Sequence, residues 1–127
     1  MSGLKTLLLA LVVLGPVSVP ARASDDLLRT FSVCAGRLSA QMEHQWLMQD
    51  PEAERTEQVR AAMLELVSLV GPDEATRAAA LNIRVSAKHA QSLLLARATF
   101  NADAADAAWA RRRAEDEIAA CASLLLG

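Results

Sequence analysis

A chain of 127 residues is long enough for one domain, and at 53% apolar it is too hydrophobic to stay disordered throughout. Aromatic residues make up only 3% and Tyr is absent, so a core must come from alanine and aliphatic side chains, which suits packed helices and not a β-sandwich. A formal charge of -2 gives no electrostatic reason to seek nucleic acid or anionic lipid.

Residues 1–23 read as a secretory signal peptide. Lys5 supplies the short positive region, Thr6 to Leu14 the apolar run, and Gly15-Pro16 the break. Ala21-Arg22-Ala23 offers small residues at the positions a signal peptidase inspects, with Ser24 as the new first residue. The apolar run is too short to span a bilayer, which takes about 20 residues. No twin arginine precedes it, and Cys34, far downstream and preceded by Val33, does not fit a lipid-attachment site. Loss of Lys5 and Arg22 would leave 11 basic and 15 acidic residues. The expected address is the bacterial periplasm or the medium, without stable membrane insertion.

Residues 24–127 read as one all-α domain with helices at about 25–49, 52–70, 73–100 and 102–126. In the first, Ser24 is the expected N-cap, and Leu27, Phe31, Cys34, Leu38, Met42 and Trp46 form one apolar stripe. Asp50-Pro51 starts the second helix, in which Ala53 to Gln58 carries no stripe and Val59, Ala62, Met63, Leu66 and Val70 do. Gly71-Pro72 ends it and opens the third, with Ala79, Ala80, Ile83, Ala87, Ala90 and Leu94 on one face; these two helices are expected to form a tight antiparallel hairpin. Asn101 is the expected N-cap of the fourth, whose stripe is Ala107, Ala114, Ile118, Cys121 and Leu125. Short connections predict a single antiparallel, up-down-up-down four-helix bundle.

That topology sets the start of the first helix beside the end of the last. Cys34 and Cys121 then differ in height by about 6 Å, which helix tilt can absorb. A Cys34–Cys121 disulfide is therefore expected, as an even pair on core faces in an oxidising space.

The chemistry-bearing residues are few. His44 and Glu43 lie on different flanks of the first helix, and His89 sits beside Lys88 on a shoulder of the third. No three of the histidines and methionines share a spacing that would hold a metal, and Met42 and Met63 fall on core stripes as gap-fillers. Cys-x-x-Cys, Gly-x-Ser-x-Gly, His-Glu-x-x-His and a phosphate-binding glycine loop are all missing. No catalytic, cofactor-binding or metal-binding residues are expected. Two features point to binding instead. Trp109, half a turn from the core stripe, is flanked by Arg112 and Arg113, the composition of an interface anchor, though it can also pack sideways with Arg113 on its ring. Val33, Gly36, Ala40 and Leu47 form a second strip opposite the first, in which Gly36-x-x-x-Ala40 lets another helix come close; Leu81 and Val85 back the third helix in the same way. The expected function is a non-catalytic one: binding an envelope protein or a second copy of the chain, with a homodimer as one outcome. The alternative is a small-molecule or metal carrier using the bundle core.

Overall fold

The computed structural model describes residues 15–16 and 21–126. Most of the expected signal segment, including the apolar run Thr6–Leu14, lies outside them. The described residues form four helices, α1 (Ala21–Leu47), α2 (Ala53–Val70), α3 (Glu74–Phe100) and α4 (Ala104–Leu126). No strand occurs among the described residues.

The helix boundaries follow from local chemistry, with shifts of a few residues from expectation. α1 begins at Ala21, so Ser24 lies inside it rather than capping it, and the expected cleavage junction falls in its first turn. Asp50 does not cap α2 directly. Its Oδ1 accepts the Glu52 amide at 2.9 Å in a turn that carries Pro51, after Gln49 takes a positive φ of 56°, the one such value of a non-glycine residue among the described residues. Asp73 is the true cap of α3: its carboxylate accepts the Thr76 amide at 2.8 Å. Asp103, not Asn101, caps α4, accepting the amides of Ala105 at 3.0 Å and Asp106 at 3.1 Å. Asn101 instead ends α3 and braces the corner, its amide donating to Asp106 at 2.5 Å.

The chain runs up, down, up and down, and α1 is its axis. Cross-helix pairs set the directions. Gly36 meets Arg84 and Glu43 meets Lys88, so α1 and α3 run parallel. Ser39 meets Arg60, and Cys34 meets Cys121, so α2 and α4 run against α1. α1 packs along α2, α3 and α4, whereas α2 and α3 barely touch. The expected tight α2–α3 hairpin is thus corrected: the two helices share a turn but part beyond it. Leu28, Val67 and Ala80 close the space near the turn. Further along, a crevice opens that brings Arg60, Arg84 and Lys88 around the single carboxylate of Glu43, and like charges resist its closure.

What replaces the hairpin is a close α1–α3 contact. A Cβ built on Gly36 would lie 2.2 Å from the Arg84 carbonyl oxygen and 3.0 Å from the Ala87 Cβ. Ala40 is buried with Leu95 and Ala114. Gly36 and Ala40, expected as part of a free strip for a partner, are therefore inside the molecule. Small residues let helices approach, and here the helix admitted belongs to the same chain.

Because α1 is covered on three sides, its burial spreads beyond one stripe. Cys34, Leu38 and Met42 are buried as expected, but so are Leu28, Ser32, Ala35 and Ser39. Leu27 and Trp46, expected in the core, are 45% and 52% exposed; they sit at opposite ends of the stripe, where α4 stops and where α2 begins. Ala53, in the stretch without a stripe, is buried under the start of α2. In α3 the buried face is Ala80, Gln91, Leu95 and Ala98, so Ala79 and Ala90 are exposed.

Cys34 and Cys121 are bonded, with Cα atoms 5.4 Å apart and a sequence separation of 87. The chain-entropy account gives such a closure about 4 to 5 kcal/mol. Cys34, Ala35, Leu38, Met63 and Cys121 form the main core cluster, with Val59 and Leu66 of α2 and Ile118 and Leu125 of α4 packed on it.

Candidate functional site

α4 lies diagonally across α1. Its upper half rests on α3: Gln91 Nε2 donates to the Ala114 carbonyl at 3.1 Å, Arg111 donates to the Ala98 carbonyl at 3.1 Å, and Arg97 pairs with Asp106. Its lower half is bonded to α1 through Cys34–Cys121 and packs there with Met63 of α2. The lower halves of α3 and α4 therefore leave part of α1 uncovered.

That uncovered part is Arg29, Val33 and Arg37, three residues at i, i+4 and i+8 on one stripe. On one side they border a cavity of about 450 Å³ with Asn82, Ile83 and Ser86 of α3. On the other they border one of about 330 Å³ with Ala120, Cys121 and Leu124 of α4. At the upper end Arg37 also enters a third cavity, of about 370 Å³, where Leu94, Arg97, Trp109, Arg113 and Glu117 gather. Three cavities that share Arg37 make one trough along α1, open to solvent, between diverging helices.

Its charges are ordered. Glu117 is only 13% exposed in its side chain and takes both Arg37, at 2.6 Å, and Arg113. Arg97 pairs with Asp106 and lays its guanidinium over the Trp109 ring, 5.1 Å from the centroid. The Asp106 carboxyl is held below its ordinary value, first by the hydrogen bond from Arg97, and Arg97 is raised in turn. Arg29 forms no ion pair among the described residues, although Asp25 and Asp26 lie one turn below it. Four arginines thus border the trough against the one carboxylate, Glu117, in its walls.

The residues expected to bind a partner separate here. Trp109 is 48% exposed and lines the third cavity with Leu94 and Arg97 of α3. The arginine stacked on it comes from α3, not from its own helix. Arg113 joins it in the trough. Arg112 is exposed and lines none of these cavities. Gly36 and Ala40 are buried behind α3. Leu81 and Val85 remain half exposed on the outside of α3, at 50% and 58%. The sequence reasoning missed Arg29, Arg37 and Arg97. The i, i+4, i+8 spacing of Arg29, Val33 and Arg37 was visible, but nothing in it showed which flank of α1 would stay bare.

A second exposed region lies at the opposite end. Trp46, Leu47, Met48 and Phe100 are 52%, 70%, 50% and 67% exposed, and Leu47 and Phe100 border one cavity with His44 and Leu95. His44 Nε2 meets the Thr99 hydroxyl at 3.1 Å. Among the described residues no three His, Cys, Asp or Glu side chains gather as a metal site, and no helix is long and apolar enough to cross a membrane. No protein-family model, curated protein or solved structure matches this chain.

Proposed function

We propose that the protein is a non-catalytic binding module of the bacterial cell envelope, exported by removal of residues 1–23 and acting by holding another protein. The observation that carries this reading is the trough: an apolar floor at Val33, walled by Ile83, Leu94 and Leu124, and bordered by guanidiniums. An amphipathic groove with a half-exposed Trp and several Arg has the composition of a protein-recognition surface. The Cys34–Cys121 bond supports the export half, because such bonds persist in oxidising compartments.

The test is to express the full chain in a bacterium and collect protein from the periplasm. Intact mass is expected to match a chain beginning at Ser24 with two hydrogens lost at the cysteines. Full-length protein confined to the cytoplasm, or free thiols in the exported form, would overturn the export reading.

Self-association is the second reading, and the exposed Leu47 and Phe100, which border one cavity at the end of α1 where Trp46 and Met48 are also exposed, favour it. Light scattering over a concentration series is its measurement. A dimer in the low micromolar range that Phe100→Asp dissolves would place the interface at that end.

A further inference from the structure

We infer that the trough receives an acidic amphipathic helix of another protein, an assignment that rests on the protein-binding reading above. Three features select that occupant. The first is shape. Below the α3–α4 contact, from Glu117 to Leu124, the open α4 wall runs about 11 Å at 1.5 Å per residue, the length of two turns of a docked helix. The trough is bounded by helices on both sides, as a fifth helix in a bundle would require. The second is the apolar floor. Val33 lies at its base between Ile83 of α3 and Leu124 of α4, with Leu94 of α3 in the adjoining cleft, and a helix laid there would bury its apolar face against them.

The third is charge. Arg29 is exposed and makes no ion pair among the described residues. Glu117 already serves two guanidiniums, Arg37 and Arg113, so these retain donor capacity. Carboxylates on the flanks of a docked helix would complete them with paired hydrogen bonds, the geometry that guanidiniums favour. A basic or neutral helix would leave them uncompensated as water is expelled. The disulfide contributes directly, because it keeps the lower half of α4 on α1 and away from α3.

The experiment uses the mature, oxidised protein and three fluorescein-labelled peptides of about 15 residues with one leucine–alanine face. Their polar faces carry Glu, Gln or Lys. Anisotropy titrations at low and high salt are expected to show the Glu peptide binding most tightly, weakening as salt rises. The Lys peptide is expected to bind at least about tenfold more weakly, since like charges brought together at a contact oppose association. Arg29→Glu removes a side chain with no ion pair and so leaves the fold intact; it is expected to weaken the Glu peptide by a similar factor. Arg55→Glu makes the same charge change on exposed α2 and is expected to leave binding unaltered. Equal affinity for the three peptides, no binding of the Glu peptide, or equal effects of the two substitutions would overturn the assignment. If the Glu peptide fails while the chain forms a dimer that Phe100→Asp dissolves, the assignment falls and the protein-binding reading stands. If neither association is seen, both fall.

Discussion

The two flanks of α1 have opposite fates. On one, Gly36 and Ala40 let α3 approach until the Arg84 carbonyl occupies the place of a side chain. On the other, Arg29 is exposed and Val33 and Arg37 are partly exposed, bordering the clefts that separate α1 from α3 and α4. The difference is not one of hydrophobicity, since Val33 is more apolar than Gly36. Side-chain size closes the first flank, and the second borders an α4 tied to α1 at Cys34.

Breaking the tie has the largest expected effect. Cys34→Ala with Cys121→Ala releases the lower half of α4, and a loss of about 4 kcal/mol is expected in urea unfolding of the mature protein. A loss below about 1 kcal/mol would mean that the tie neither constrains the unfolded chain nor positions α4. Next comes the closed flank. Gly36→Ala must move the α3 backbone, and an overpacking cost of about 2 to 3 kcal/mol is expected, with a matching fall in Tm. Gly36→Val is expected to be worse, and an unchanged Tm for either would show that α3 is not held where described.

The upper α3–α4 contact can be probed at Gln91, which is 1% exposed and donates to the Ala114 carbonyl. Its Oε1 has no partner. Gln91→Ala removes a buried hydrogen bond and leaves a void, and a loss of about 2 kcal/mol is expected by the same unfolding measurement. Gln91→Met, which keeps the volume and drops the unpaired oxygen, should cost less.

The smallest effect belongs to the caps and surface pairs, and pH reveals it. Asp73 and Asp106 have carboxyls held below the ordinary 3.8, the first mainly by its hydrogen bond with Thr76 and the second mainly by that with Arg97. A depressed folded value means that their contribution is complete above 3.8 and is lost as pH falls through the lower, folded values. Tm measured from neutral pH downward should fall below that point. In Asp73→Asn and Asp106→Asn the part of the fall due to each residue should disappear. An identical acid profile in both variants would rule out these two carboxylates as its source.

Much of the molecule was legible in sequence. Apolar periodicity, the Asp50-Pro51 and Gly71-Pro72 breaks and the start signal at Asn101 placed all four helices to within a few residues, although the cap of the fourth is Asp103. The even cysteine pair on two core stripes identified the disulfide, because short connections and helix rise determine which ends meet. These are local properties, set by hydrogen bonding and backbone preference within a few residues. The tertiary structure alone decided which helices touch. Periodicity shows that a face is apolar but not which neighbour covers it, so the strip of Val33, Gly36, Ala40 and Leu47 looked free along its whole length until α3 and α4 were in place. The trough exists through the crossing of α4, a long-range outcome of one bond and one close helix contact, and no window of the sequence contains both.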